Sequence, residues 1–377
     1  MIERDYNHPS IITWGVRINE SGDDEELYTK TNNLAKELDD TRLTSGVRCY
    51  EGSQLLEGIY TMNDFVHNGG EDILRNRKTC TNLDYSVPYM VTEFCGHIYP
   101  TKKIDCEEKL VEHALRHARV QSCCKLDDEI LGAIGWCAFD YNTHFDFGSG
   151  DRICYHGVMD MFRMPKFASY VYKSQKDIKK EVVLEPLTYW SRGEKQMGIV
   201  FPIYVFTNCN SIELKLNNIS KGIFKREKQN LDEKLSGLNN PPIVINTING
   251  EWGASWTDAE FIGYDENNNI VGSKKFCASV TYEDIKVDMY SNELYCDRLD
   301  ATRISVKAID KEGNILPFIS DSIDIEVYGD IEVIGLNRLN FIGGSIAFWV
   351  KSKVLNNKST AAIKIKSFYG YEKKLEI

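Results

Sequence analysis

Over its first 176 residues the chain alternates short apolar runs with helical repeats, and this alternation narrows the possible folds more than any other feature. Candidate strands are Ser10–Val16, Gly46–Tyr50, Gly58–Met62, Tyr89–Thr92 and Ala133–Phe139. Between them lie stretches with apolar residues at three- and four-residue steps, the spacing of one helix face. The clearest are Asp24–Leu38 and Asp105–Cys124, the latter reading DCEEKLVEHALRHARVQSCC, and Pro165–Lys176 would add a closing helix. Strand, helix, strand, repeated, builds parallel strands with helical crossovers. From about Glu181 the pattern changes to short alternating strands broken by turns. MGIVFPIYVFTNCNSIELKLNN places two strands around Thr207–Asn210, and ATRISVKAIDKEGNILP places two more around Lys311–Asn314. That is the pattern of β-sandwich modules, one at 181–280 and another at 281–377.

A formal net charge of -11, with acids and bases interspersed and no basic run, argues against nucleic acid or an anionic membrane surface as partner. The cysteine count is 11, an odd number, with no C-x-x-C pair, and Cys123 and Cys124 are adjacent. This reads as a set of reduced thiols in a cytoplasmic protein. The opening MIERDYNHPS contains no apolar stretch of the kind a signal peptide needs, and no run approaches a membrane span.

Two strand ends carry acids. In TWGVRINES an apolar run leads to Asn19 and Glu20, and in PYMVTEFCGH the run Tyr89–Thr92 leads to Glu93. Parallel strands with crossover helices put their C-terminal ends on one face, where the active sites of such folds sit. Glu20 and Glu93 can therefore converge although 73 positions (93 − 20) separate them. Two carboxylic acids facing a sugar are the machinery of glycoside hydrolysis: one protonates the departing oxygen, the other attacks the anomeric carbon or activates water. A third strand end, AIGWCAFDY, supplies Trp136, whose indole can form the floor on which a pyranose ring stacks. On spacing alone, two strand-end glutamates also fit an ordinary α/β protein.

RDYNHPSIITWGVRINES resembles the signature of glycoside hydrolase family 2, the group of β-galactosidases, β-glucuronidases and β-mannosidases. PYMVTEFCGH resembles that family's nucleophile strand and GAIGWCAFDY its last barrel strand. The resemblance implies a multidomain chain: a partial (β/α)8 TIM barrel, strands about four to eight, over 1–178, followed by two immunoglobulin-like β-sandwich modules. It implies a retaining, exo-acting β-glycosidase, most often a β-galactosidase, with Glu20 as acid/base and Glu93 as nucleophile. Asn19 would bond the sugar 2-hydroxyl, Trp136 would line the sugar subsite, and His97 would contact substrate. A negative Glu93 close by disfavours ionisation of Glu20 and keeps it protonated for the first step; esterification of Glu93 removes that charge and frees Glu20 to act as base.

The match departs from the family near the nucleophile's neighbour strand. GIYTMNDFVHNGG offers Asn63, Asp64 and His67 where a tyrosine is common, and Tyr60 comes too early. A barrel of this kind takes about 250 residues, so a barrel-like part of about 175 reads as the C-terminal part of an enzyme: a truncated gene product, a split gene or an expressed fragment. The expected substrate is a β-glycoside or oligosaccharide, and the expected partner is a chain supplying the missing strands, or self-association. No cofactor or metal is expected, and alone the chain should turn over little or no substrate. The alternative from a different class is a non-catalytic remnant whose β-modules bind carbohydrate or a protein partner.

Other patterns read more plainly. His113 and His117 have the i, i+4 spacing of a zinc pair, but HALRH lacks the catalytic acid and shows no third ligand, so it reads as a solvated helix face. Gly148 and Gly150 in DFGSGDR read as a turn rather than a phosphate loop, Cys95 as no nucleophile, and Asp140 and His144 as structural residues.

Overall fold

Asp24 starts the first long helix because its side chain accepts a hydrogen bond from the Leu27 N–H (2.9 Å), satisfying a donor that every helix start leaves open. The computed structural model describes residues 1–377 except 149, 191–201, 227–231, 247–255, 280 and 354–358. Its first part runs α1 (Ile2–Asp5), β1 (Thr13–Gly15), α2 (Glu25–Leu38), β2 (Leu43–Ser45), β3 (Tyr60–Asn63), α3 (Arg77–Thr81), β4 (Tyr89–Glu93), α4 (Glu107–Leu126) and β5 (Ile130–Ala133). The pairs β1–β2, β3–β4 and β4–β5 are all parallel, with Thr13 opposite Leu43, Tyr60 opposite Tyr89 and Tyr89 opposite Ile130. Less regular bonds join β2 to β3, from Ile59 N–H to Thr44 O (3.0 Å) and from Asn63 N–H to Arg48 O (2.7 Å). Five strands thus stand side by side in chain order.

One face of this sheet is covered. Tyr60, Met62, Tyr89, Val91 and Ile130 pack with Val120 and Cys124 of α4 in one buried cluster. Successive strand residues point to opposite faces, so Leu131 faces away from that cluster, and it is 64% exposed. Leu43 on β2 is 55% exposed. A closed eight-stranded barrel fills its interior with layers of such side chains; here the corresponding face is open to water at Leu43 and Leu131, while Thr61 and Asn63 on β3 are buried.

Several sequence expectations shift. The strand expected at Gly46–Tyr50 is instead Leu43–Ser45. The chain at Gly46 passes so close to Arg17 that a Cβ would lie 2.5 Å from the Arg17 Cβ, and the regular ladder stops there. The strand expected at Ala133–Phe139 ends at Ala133 and resumes only as two isolated parallel bridges, Trp136 with Cys95 and Phe139 with Met159. The strand read as Ser10–Val16 is confined to Thr13–Gly15, so Asn19 and Glu20 lie on a turn beyond it. The closing helix Pro165–Lys176 contracts to α5, Ser169–Lys173, preceded by single turns in which Ser169 N–H bonds Lys166 O and Tyr170 N–H bonds Phe167 O. Two short antiparallel strands, β6 (Tyr141–Asn142) and β7 (Ile153–Cys154), follow β5. Gly148 and Gly150 lie between them with φ of 89° and 83°, the left-handed backbone that turns require.

After these elements the described residues form strands almost throughout. A three-stranded sheet (Leu184–Pro186, Ile203–Thr207, Ile243–Ile245) faces a four-stranded one (Ser211–Leu216, Ile219–Lys225, Ala259–Tyr264, Ile270–Phe276). Ile203, Val205, Ile243 and Ile245 of the first sheet share one core with Ile212, Leu214, Phe261 and Phe276 of the second. The strands flanking Thr207–Asn210 therefore belong to opposite sheets; residues 197–201 of that stretch lie outside the described residues. Two further four-stranded sheets, built from strands between Asp284 and Glu376, enclose a second core. Of the two strands expected around Lys311–Asn314, Ala301–Ile309 forms and the other is reduced to a bridge between Ile309 and Ile315. Among the described residues a single 3-10 turn, Glu233–Leu235, interrupts this region.

The parts touch through a shared apolar cluster, in which Leu110 and Leu115 of α4 meet Phe206, Leu235 and Leu238, and through polar bonds. Gly237 N–H bonds Ser122 Oγ (2.8 Å), Asn240 N–H bonds Gln175 Oε1 (2.9 Å), and Arg303 Nη1 bonds Phe162 O (2.8 Å). Lys103 Nζ reaches both Asp160 Oδ2 (2.7 Å) and Ser345 Oγ (2.9 Å). All 11 cysteines are free thiols, and no helix among the described residues is long and apolar enough to cross a membrane.

Candidate active site

Glu93 is the last residue of β4 and Asn63 the last of β3, and the two are register partners across a local irregularity. Asn63 Nδ2 donates to Glu93 Oε2 (2.9 Å) and to Asn19 Oδ1 (3.1 Å). Thr92 Oγ1 donates to Asn63 Oδ1 (3.0 Å), which sets which way the carboxamide faces. One buried amide thus ties the turn bearing Asn19 and Glu20 to the strand bearing Glu93. Burial raises the Glu93 carboxyl above the usual carboxylate range, the charge of Glu20 raises it further, and the Asn63 bond opposes both. The repulsion expected between the two acids is felt at Glu93, the half-buried member. Glu20 itself is exposed at the open side, with φ of 56°. A non-glycine residue held in this left-handed region costs about 1–2 kcal/mol, and such outliers cluster at functional sites.

Below that turn lies a buried ionic cluster that sequence reasoning missed. Arg17 Nε donates to Glu57 Oε1 (3.0 Å), Arg48 pairs with the other Glu57 oxygen, and Arg17 also pairs with Asp23. The side chains of Glu57, Arg48 and Arg17 are 0%, 1% and 2% exposed. Burial pushes the Glu57 carboxyl up, but Arg48 and Arg17 outweigh it and hold the group below the ordinary range. Arg17 stands two residues before Asn19, so this cluster anchors the turn that presents Asn19 and Glu20.

Trp136 is brought beside the same strand end. Gly96 N–H bonds Trp136 O (3.0 Å) and Trp136 N–H bonds Phe94 O (3.0 Å), placing the indole on the prolongation of β5 next to that of β4. Trp136 is 39% exposed. Its Nε1 donates to Tyr141 Oη (3.0 Å), and Tyr141 in turn contacts His156 Nδ1 (3.4 Å). His97, exposed on the turn Gly96–Ile98, rests its ring on Phe65 at 4.6 Å between centroids. The arrangement offers two carboxyls, a carboxamide and a half-open aromatic floor, which suits protonating and displacing a group on a stacked sugar. Tyr141, His156 and Phe65 were not foreseen; Tyr141 stood inside the AIGWCAFDY motif, but nothing in its spacing marked its partners.

The remaining candidates separate. Asp64 is buried and accepts bonds from Val66 N–H (3.1 Å) and Arg75 N–H (2.8 Å), and His67 Nδ1 faces Asp72 O (3.0 Å). Tyr60 Oη donates to Cys80 O (3.0 Å), on the far side of the strand. Of the three residues weighed as the partner of Glu93, Asn63 alone bonds its carboxyl, while the Asp64 N–H bonds only the Glu93 carbonyl oxygen (2.9 Å). Asp140 is buried against Lys166 Nζ (2.6 Å) and Gly157 N–H (2.9 Å), and His144 stacks on Phe147. His113 and His117 do not form a solvated face; both are fully buried. The reason is that they lie on the side of α4 that faces the parallel strands: the His117 ring packs on Phe94 at 5.3 Å and on Tyr172 at 5.8 Å between centroids, and the His113 ring lies 5.0 Å from that of His117.

Residues 1–178 match the family described as Glycosyl hydrolases family 2, TIM barrel domain. The chain is 49% identical over 353 residues to a β-galactosidase of Thermoanaerobacterium thermosulfurigenes, covering 92% of this chain and 48% of that protein. It is 39% identical over 348 residues to a β-galactosidase of Rhizobium meliloti, covering 88% and 45%. The chain spans about half the length of the curated relatives it matches. Its fold superimposes on a β-glycosidase from Bacteroides vulgatus with a TM-score of 0.75 at 18% identity, over 100% of this chain and 52% of that one. On this barrel match and these relatives, the chain belongs to the β-galactosidase-like members of glycoside hydrolase family 2.

Proposed function

We propose that the chain carries the acid–nucleophile half of a retaining, exo-acting β-glycosidase whose substrate is a β-galactoside. The observation that carries this reading is Asn63, bonded at once to Glu93 and to Asn19, because it joins the two strand ends the chemistry needs. In this mechanism ionised Glu93 attacks the anomeric carbon while Glu20 gives its proton to the leaving oxygen. A glycosyl ester on Glu93 results. Glu20, now a carboxylate, takes a proton from water, the water attacks the anomeric carbon, and Glu93 leaves as the free anion. Asn19 bonds the 2-hydroxyl, Trp136 stacks beneath the ring, and His97 closes the rim. The names of the β-galactosidase relatives support the choice of sugar. On the same reading 1–178 is the barrel part, and 181–280 and 281–377 are two modules, immunoglobulin-like in architecture.

Five neighbouring strands leave two open edges and one partly bare face, which suits a partner chain that completes the barrel, or self-association. The test is hydrolysis of an aryl β-galactoside by the purified chain, alone and mixed with a chain carrying the other strands. Little turnover alone and a rise of several powers of ten on mixing is the expected result, because orientation of the sugar contributes on that scale. Absence of turnover in any mixture, with sugar still bound, would favour the non-catalytic alternative.

Two site predictions go with it. Asn63→Ala removes the bond that positions Glu93 and should lower kcat/KM by about 10²-fold, the scale of a 1 Å misplacement. Second, the acid limb of the pH–rate profile should lie above the ordinary carboxylate range of about 4.3, because Glu93 must be ionised and its proton is held by burial and by Glu20. Activity is lost as pH falls through that raised value. Glu20→Gln, read with a substrate whose leaving group needs no proton, should move the limb down; Asn63→Ala should move it up. A limb that stays put in both variants contradicts the assignment of Glu93.

A further inference from the structure

Behind the Glu93 strand end, away from the proposed sugar side, three potential metal donors meet in the buried layer between β4 and α4. Cys95 lies two residues after Glu93, and His113 and His117 are i and i+4 on α4. One donor atom from each lies within 4.8 Å of the others, and all three residues are buried. His117 Nδ1 faces Tyr172 Oη at 2.8 Å, while His117 Nε2 and both ring nitrogens of His113 have no hydrogen-bond partner among the described residues. Gly135 packs directly on the His117–Tyr172 pair: a Cβ there would lie 2.8 Å from Tyr172 Oη and 3.2 Å from His117 Nδ1.

Buried polar groups are almost always paired, and an orphaned nitrogen in a dry site is costly. Here three orphaned nitrogens share one pocket with a thiol. The Tyr172 bond explains which His117 nitrogen is free. If Nδ1 carries the proton and donates to Tyr172, Nε2 is left bare, which is the way metal-binding histidines are held by a partner on their other nitrogen. A thiolate with two imidazoles is a soft donor set that selects Zn2+ or Cu+ over Mg2+ or Ca2+.

We propose that Cys95, His113 and His117 form a binding site for a thiophilic closed-shell cation, Zn2+ or Cu+, that staples the nucleophile strand to helix α4. Binding forms one metal–sulphur and two metal–nitrogen bonds, and the thiol proton leaves to solvent. The site lies outside the sugar chemistry, and it joins the backbone two residues beyond Glu93 to the crossover helix. Tyr172 acts as a positioning residue for His117, not as a ligand.

The test uses the full chain, stripped with chelator under reducing conditions. Zn2+ is titrated against a chromophoric chelator and Cu+ against a Cu+-specific one, and Co2+ serves as a spectroscopic stand-in for Zn2+. The expected result is one tight equivalent of Zn2+ or Cu+, a sulphur-to-cobalt charge-transfer band with Co2+, and a metal-dependent rise in melting temperature. Cys95→Ser should abolish the band and the rise. Tyr172→Phe should weaken binding by about 10- to 100-fold while keeping the band. Should Cys95→Ser fail to fold, His117→Gln replaces it. The band matters because ten other cysteines are present (11 − 1), and only thiolate ligation lost with Cys95 or His117 identifies this site. No tight equivalent in the wild-type chain, or an unchanged band in these variants, overturns the proposal; Cu+ binding without Zn2+ binding assigns the site to copper.

Discussion

Replacing Glu93 by Ala in the completed barrel should lower kcat/KM for an aryl β-galactoside by at least about 10³-fold, the scale on which loss of a nucleophile acts. Replacing Glu20 by Ala should cost about 10²- to 10⁴-fold, and the two losses should differ in kind. With Glu93 shortened, added azide can occupy the vacated space and attack from the nucleophile's own face. One displacement then inverts the anomeric carbon and gives an α-glycosyl azide. With Glu20 shortened and a leaving group that needs no proton, the ester on Glu93 still forms and accumulates. Azide then displaces it in a second inversion and gives a β-glycosyl azide. Both products are read by the anomeric coupling in the proton spectrum. If the two variants give the same anomer, or exchange anomers, the assigned roles are wrong.

The second large effect concerns stability. Glu57→Ala should destabilise the parallel-strand unit by about 3–5 kcal/mol, because it strands the buried Arg48 guanidinium without a counter-ion and leaves buried Arg17 only the partly exposed Asp23. Arg48 is already short of partners, since its Nε and Nη1 make no hydrogen bond among the described residues, so nothing local replaces Glu57. Replacing all three by apolar residues of similar volume should cost less than removing Glu57 alone. The pH dependence has a definite sign. Glu57 is held below its ordinary range, so its contribution is present above about pH 4.3, the unfolded value, and is lost as pH falls below it. Urea unfolding followed by tryptophan fluorescence measures both; a loss under about 1 kcal/mol for Glu57→Ala would mean that water reaches the cluster.

Much of this was legible in the chain because the deciding features are local. The strands ending at Asn63 and Glu93 are short apolar runs, and α2 and α4 announce themselves by three- and four-residue spacing. What stayed hidden depended on neighbours distant in sequence. His113 and His117 look like a wet helix face because nothing near them says that Phe94, Cys95 and Tyr172 will pack against that side of the helix. Among Asn63, Asp64 and His67 the sequence offered no way to choose, since the choice rests on a register irregularity between β3 and β4. The break at Gly46 depends on Arg17, 29 positions earlier (46 − 17), and no local propensity records it. Arg17 was visible only as part of a motif; its burial follows from Glu57, which no periodicity singles out.

Lys103 gives the architecture an evolutionary consequence. Its ammonium is shared between Asp160, in the segment after β7, and Ser345, in the last pair of sheets. A recombination event that exchanged the C-terminal sheets for those of a distant homologue would strip this lysine of its Ser345 bond unless the incoming strand brought a hydroxyl to that position. The Lys103–Asp160 pair, only 11% and 9% exposed in its side chains, would then be opened to water or left half-satisfied. Inheritance of the strand that carries Ser345 is thereby tied to the stretch that follows the Glu93 strand, and viable crossover points should fall before Lys103 or after Ser345, not between them.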